Sequence, residues 1–432
     1  MQTSLQAIAQ KARQLKQYRF RDLYRMIDER ALNEAWREIN KQAAPGIDKV
    51  TAQEFAKNLD QNIRETVERL RKKSYRAKLV RRKDIPKGEG KTRPLGILVI
   101  ADKLVQRAAA KILEAIYEQD FLTSSYGYRP NIGPLTAVAD LTKELTYGLY
   151  NNIVEADIKG YFDTIDHEWL LKMLEQRVDD KAFIGLIRKW LKAGIINTDG
   201  QVIHPATGTP QGGIISPVLA NIYLHYALDL WFEKVVKPNS EGKAYICRFA
   251  DDFVCAFQYK RDAQRFYRTL GKRLGKFGLM LSMDKTKVIN FSKLSKEDKT
   301  SFEFLGFEFR WGVSLRGTRC IKKRTSRKKL RKSLENFKNW CHENRNLKQK
   351  ELFQKINVKL RGYYNYYGII GNYDSIYEFY FKAKKILFKC LNRRSQRRSY
   401  NWEQFKTMLR WYGMLTPRIT EQLEKQLKME FV

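Results

Sequence analysis

Three aspartates have the residue types and surroundings of a metal-dependent phosphoryl-transfer site. Asp157 ends the run Asn-Ile-Val-Glu-Ala-Asp157 and is followed by Ile158-Lys-Gly-Tyr-Phe162; Asp251 and Asp252 sit in Arg-Phe249-Ala-Asp251-Asp252-Phe-Val. Each follows an apolar, β-prone stretch, so each acid is predicted at the end of a buried strand, where an uncompensated charge is costly. Divalent cations are the usual compensation, and two of them ~4 Å apart can activate an attacking hydroxyl and stabilise a departing oxygen. A donor set of carboxylates suits a hard, oxygen-seeking ion such as Mg²⁺. Ala-Asp-Asp is also good β-turn chemistry, so the segments around it must decide.

Stepping outward from the acids, those segments come in one order. They are Ile85-Pro-Lys87-Gly-Glu-Gly-Lys-Thr-Arg93-Pro-Leu-Gly-Ile, Ser125-Tyr-Gly-Tyr-Arg129-Pro-Asn, the Asp157 run and Gly208-Thr-Pro-Gln211-Gly-Gly-Ile-Ile-Ser216-Pro217; then come the Asp251 hairpin, Leu281-Ser-Met-Asp-Lys285-Thr-Lys and Phe304-Leu-Gly-Phe307. The series resembles the reverse transcriptases encoded by bacterial group II introns, also called intron maturases, from about residue 20 to about residue 410.

That resemblance implies an α+β right-hand polymerase. An N-terminal extension and the start of the fingers would span 1–80, and fingers and palm 81–312, with an antiparallel sheet backed by helices. An α-helical thumb or X domain would span 313–400, and a short, candidate DNA-binding extension 401–432. The implied reaction is attack of a primer 3′-hydroxyl on the α-phosphate of a dNTP, releasing pyrophosphate. Asp157, Asp251 and Asp252, with the carbonyl of Ile158, would hold two Mg²⁺ ions, Mn²⁺ being able to substitute. Phe162 would select deoxynucleotides by blocking a 2′-hydroxyl, or equally be a core residue beside Tyr161. Gln211 lies in a Gly-rich turn that lets the backbone approach a nucleotide, or in a plain loop. Arg81 and Lys87 would hold the triphosphate, a bidentate fork and a compact charge suiting a polyphosphate. Lys285 would protonate the leaving pyrophosphate, with Lys287 a close competitor.

Two departures from the family pattern stand out. Relatives usually carry Tyr before Ala-Asp-Asp, where this chain has Phe249. Many also continue into a His-Asn-His endonuclease module, which this sequence lacks up to Val432; insertion into DNA would then need single strands, a nick or a replication fork.

The elements between the acids follow from patterning. Helical patterns are predicted at about 167–195 and 217–235, the second capped by Ser216 with Pro217 in its first turn. The order strand, helix, helix, strand-turn-strand fits a polymerase palm, and the 94-residue gap from Asp157 to Asp251 is no obstacle between adjacent strands.

Charge points to the partner. With 83 Lys and Arg against 47 Asp and Glu, the net charge of +36 calls for a polyanion, and 43% hydrophobic residues provide a core. Residues 314–400 hold 25 Lys/Arg against 5 Asp/Glu. Candidate nucleic-acid contacts there are Lys322, Lys323, Arg324, Arg327, Lys328, Lys329, Arg361, Arg393, Arg394 and Arg397, interleaved with tyrosines and phenylalanines; the alternative is a solvated face above an aromatic core. No apolar run reaches the ~20 residues of a membrane span and no signal pattern opens the chain, so a bacterial cytoplasmic protein is expected. Five cysteines without a Cys-x-x-Cys pair argue against a disulfide framework or a zinc site. The expected partners are group II intron RNA or another RNA template, a DNA primer or target, and dNTPs, with oligomeric state open. Competing readings are a relative recruited for host defence or DNA repair, and a splicing-only RNA-binding maturase.

Overall fold

The computed structural model describes residues 2–88, 91–209, 212–293, 300–314, 316–393 and 399–421. Its strands, numbered along the chain, are β1 (Val80–Gly88), β2 (Lys91–Ile97), β3 (Asn152–Asp157), β4 (Ile195–Ile196), β5 (Val202–Ile203), β6 (Ala244–Phe249), β7 (Asp252–Phe257), β8 (Lys287–Asn290), β9 (Ser301–Phe304), β10 (Phe307–Val313) and β11 (Arg319–Thr325). Two compact units emerge, Met1–Ala137 with Asn152–Val288, and Val138–Asn151 with Ile289–Val432.

The first unit starts with helices that the sequence delimits clearly. The Asp28 side chain accepts from Ala31 N–H to start Glu29–Glu38, and Thr51 with Glu54 forms a reciprocal capping box at Ala52–Lys57, a motif that satisfies two otherwise orphaned donors. Glu29–Glu38 and Leu59–Arg71 pack against Ile100–Tyr117. The latter helix is apolar on most of its circumference and buries Leu104, Val105, Ala108, Ile112 and Ile116 completely, as a central helix must.

Two sheets carry several of the strings quoted above. One runs β2-β1-β4-β5, with β1 and β2 antiparallel. The other runs β6-β7-β3-β8. In it β3 pairs antiparallel with β7, from Asn152 opposite Phe257 to Asp157 opposite Asp252. On the other side of β7, β6 runs antiparallel from Ala244 opposite Phe257 to Phe249 opposite Asp252. Helix Lys260–Gly275 covers β3 and β7, setting the Phe266 ring 5.2 Å from that of Phe257.

The helical readings hold with two refinements. The first pattern is two helices, His167–Leu174 and Lys181–Leu191, because Asp180 caps a new start by accepting from Ala182 and Phe183. In the second, Ser216 is itself the first helical residue, behind Ile215, and no side chain caps the end. That helix, Ser216–Leu224, continues through two wider π turns, His225–Asp229 and Phe232–Val236.

The second unit combines a sheet with helices. It holds the three-stranded sheet β9-β10-β11 as well as helices Arg327–Glu343, Gln349–Tyr367, Tyr373–Leu391 and Trp402–Trp411. The sheet groups with the helices that follow it in the unit that runs from Ile289. The reason is aromatic packing: buried Phe307 on β10 lies 5.3 Å from the Tyr367 ring and 5.8 Å from Tyr366, tying the sheet to the helices that follow it. Among the described residues, no helix is long and apolar enough to cross a membrane.

Candidate active site

The antiparallel register of β3 and β7 puts Asp157 directly across from Asp252. Cross-strand neighbours of this kind have Cβ atoms ~5 Å apart, and like charges there repel. Asp251 precedes β7 in the turn from β6, after Ala250, whose φ is +57°. This left-handed conformation is unfavourable for a residue with a Cβ.

Proximity shows in the acidities. Asp252 is pushed up to about 7, first by burial and then by Asp157, Asp251 and Glu155. Asp251 is also raised, by burial above all, with Asp157 adding to it. The structure thus places together the three aspartates that the sequence nominated. Lys285 is their cationic neighbour: its Nζ donates to Asp157 Oδ2 at 2.6 Å, and that hydrogen bond raises the ammonium's pKa. Its rival Lys287 lies 3.1 Å from Glu155 instead.

Carboxylate oxygens are the donors a hard divalent cation takes; the Lys285 ammonium occupies one of them in place of such a cation. Among the described residues, no three His, Cys, Asp or Glu side chains already converge at metal-ligating spacing; Asp157 faces Lys285. Ile158 follows Asp157 and makes an isolated antiparallel bridge to Leu281, with Ser282 N–H donating to the Asp157 carbonyl at 2.8 Å.

Phe162 is 8% exposed, in a short helix after the left-handed Gly160. Its ring meets Tyr128 edge-on, centroids 6.1 Å apart, and Tyr161 at 5.6 Å. The ring is thus packed against these two aromatics, in the same stretch of chain as Asp157. Tyr128 is the residue that sequence reasoning passed over. It is half-exposed, has φ +58°, and its hydroxyl is raised by burial and by Asp251. Its signal was a second aromatic within Ser125-Tyr-Gly-Tyr-Arg129.

Arg81 on β1 donates from Nη2 to the Pro45 carbonyl at 2.6 Å. Lys87 is on β1 with its side chain outside the described residues, and Gln211 lies outside them altogether.

In the second unit, Lys322, Lys323 and Arg324 are half-buried on β11, where Arg324 makes a two-pronged bond to Glu308 at 2.7 and 2.8 Å. Arg327, Lys328 and Lys329 are exposed in the first turn of Arg327–Glu343, and Arg361 and Arg393 are exposed too; Arg394 and Arg397 lie outside the described residues. Cys247 and Cys255 are fully buried, and all five cysteines are free thiols.

Comparison with known proteins accords with this geometry. Residues 85–309 match the family model described as "Reverse transcriptase (RNA-dependent DNA polymerase)". Protein YkfC of Escherichia coli is 34% identical over 276 residues, covering 56% of this chain and 72% of that protein. The group II intron-encoded protein LtrA of Lactococcus lactis is 42% identical over 167 residues, 38% of this chain but only 27% of LtrA. A telomerase structure from Candida albicans aligns with 80% of this chain and 67% of its own at 14% identity, with a TM-score of 0.45. The chain belongs to the reverse transcriptase (RNA-dependent DNA polymerase) family.

Proposed function

We propose that this chain copies RNA into DNA by extending a primer 3′-hydroxyl with dNTPs, and that it binds group II intron RNA to assist splicing and mobility. The observation that carries the first part is the facing pair Asp157 and Asp252 at the ends of antiparallel strands, with Asp251 beside them, all within the matched family region. Asp157, Asp251 and Asp252, with the Ile158 carbonyl, would hold Mg²⁺, which when bound lowers the pKa of an attacking hydroxyl and offsets charge on the phosphoryl oxygens. Lys285 stands ready to give a proton to the leaving pyrophosphate once released from Asp157. The Phe162 ring borders the sugar of the incoming nucleotide, and Arg81, Lys87 and Gln211 serve its phosphates and base pair.

Primer extension on an RNA template tests this, comparing wild type with Asp251→Ala/Asp252→Ala. Full-length cDNA from the wild type alone supports the reading; equal synthesis by both refutes the site. The splicing role rests on the basic second unit. It requires the same double variant to keep promoting splicing of its intron RNA, because the ribozyme does that chemistry.

A further inference from the structure

We propose that Arg248 is a positioning residue that clamps the Ala250–Asp251 turn, and so sets where Asp251 meets a divalent cation; this rests on the polymerase reading above. Arg248 is the largest fully buried side chain of the protein among those described, 0% exposed, on β6 three residues before Asp251. A guanidinium has five N–H donors, and here there is a bond for each. Nε and Nη2 grip Asp229 at 2.7 and 2.6 Å, Nη2 also donates to Ser125 Oγ at 2.6 Å, and Nη1 donates to Asn221 Oδ1 at 3.1 Å and to the Ala250 carbonyl at 3.0 Å.

The last bond connects the network to the chemistry. The Ala250 carbonyl belongs to the peptide plane from which Asp251 departs, and Ala250 is held left-handed, a conformation that persists only where its surroundings over-determine it. Three further contacts do so. Segment 124–126 runs alongside β6, with Arg248 N–H donating to Ser124 O and Tyr126 N–H to Arg248 O. Asn221 Nδ2 holds the Gly127 carbonyl. A Cβ on Gly127 would strike the Ala250 nitrogen, so the loop rests directly on the turn. Asn221 and Asp229 come from one helix, which widens into a π turn ending on Asp229, and such turns recur at functional sites.

A buried ion pair could serve stability alone, but replacing such a pair by apolar residues is often neutral or better. The test therefore uses Arg248→Met/Asp229→Leu, which removes the pair without stranding a charge, and Arg248→Lys, which keeps the charge but cannot reach all five acceptors. If the double variant does not hold its fold by thermal unfolding, Arg248→Lys carries the same readouts. These are the extension rate constant, the KM for dNTP, the Mg²⁺ concentration for half-maximal extension, and Mn²⁺ affinity of the free protein by electron paramagnetic resonance. Outer residues that orient metal ligands are worth about 10–100-fold in metal affinity or activity. We expect losses of that size in rate and Mn²⁺ affinity, with KM for dNTP within roughly threefold of wild type. A folded variant that binds Mn²⁺ like wild type overturns the clamp, whatever its rate. A wild type that binds Mn²⁺ yet makes no cDNA overturns the polymerase reading, and the Mn²⁺ comparison still decides the clamp.

Discussion

The turn around Asp251 and the first turn of helix Arg327–Glu343 both concentrate charge, and they use it in opposite ways. At the first, charges are few, buried and fixed: Arg248 and Asp229 are both wholly inaccessible, and burial, with Asp157, Asp251 and Glu155 adding to it, pushes the pKa of Asp252 up to about 7. At the second, Arg327, Lys328 and Lys329 are consecutive and exposed. Buried charge gives geometry, since each donor has one place to go; exposed charge gives affinity, through release of counterions from a polyanion, and needs little geometry. A protein that both performs chemistry on nucleic acid and grips it needs both kinds.

The sharpest way to break this contrast is to remove the carboxylates. Asp157→Ala, or Asp251→Ala/Asp252→Ala, should lower primer extension by about 10³-fold or more, since metal stabilisation of transferring phosphoryl groups is worth several kcal/mol. RNA affinity should stay at the wild-type value or rise, because negative charge has been taken from a basic protein. Filter binding beside extension assays separates the two. A matching loss of RNA binding would mean the aspartates serve the fold.

A second test asks whether every buried charge in the first unit is paired. Asp102 is not: it is 2% exposed and held by neutral donors, the Tyr75 hydroxyl at 2.5 Å and Lys78 N–H at 2.9 Å. Burial, opposed by these bonds, pushes its pKa up to about 6. A carboxyl whose folded pKa exceeds its unfolded value binds its proton more tightly in the fold, so this stability is present below about pH 4 and lost as pH rises to about 6. At 1.36 kcal/mol per unit the swing is about 3 kcal/mol. Asp102→Asn should abolish it, so that the difference in unfolding free energy between variant and wild type changes by that amount between these pH values. Trp190, whose indole N–H donates to the Tyr75 hydroxyl at 3.2 Å, is a local fluorescent reporter. A pH-independent difference would show that Asp102 ionises normally.

The same contrast explains what could be read from sequence. The three aspartates, the strands that end on them and the helix from Ser216 were legible because apolar runs ending in acids and a Pro in a first turn are local signals. Arg248 and Asp229 were visible as single charges in apolar runs, but which charge meets which depends on bringing residues 19 apart in sequence together through a π-wound helix and a strand. The β9-β10-β11 sheet escaped for another reason. Its last strand, Arg319–Thr325, reads as a basic tract, with the buried Ile321 and Thr325 separated by half-buried Lys322, Lys323 and Arg324, so no period-two burial pattern marks it.

A third test addresses the exposed bases. Arg327, Lys328 and Lys329 occupy the first turn of a helix with no acid there, where positive charge opposes the helix dipole by about 0.3–1 kcal/mol each. Their place is unfavourable for the helix itself, which argues that they act on a partner. Arg327→Ala/Lys328→Ala/Lys329→Ala should reduce the log–log salt slope of RNA binding by about 2–3 without lowering the melting temperature. An unchanged slope would mean these side chains only decorate a solvated face.

The smallest effect is expected at Phe249, the last residue of β6, which pairs with Asp252. Phe249 lies one residue before the left-handed Ala250 and two before Asp251, and it lacks the phenolic hydroxyl that the family pattern leads one to expect. Phe249→Tyr adds a polar atom without changing the shape of the ring, and a new hydrogen bond is worth only about 0.5–1.5 kcal/mol net. That corresponds to a change of a few-fold in extension from a given primer end or in misincorporation, with stability and RNA affinity unchanged. Extension rates on matched and mismatched primers, read with the error spectrum of the cDNA, measure it. Identical rates and errors would show that the phenol has no partner near the primer end, and that position 249 acts through its ring alone.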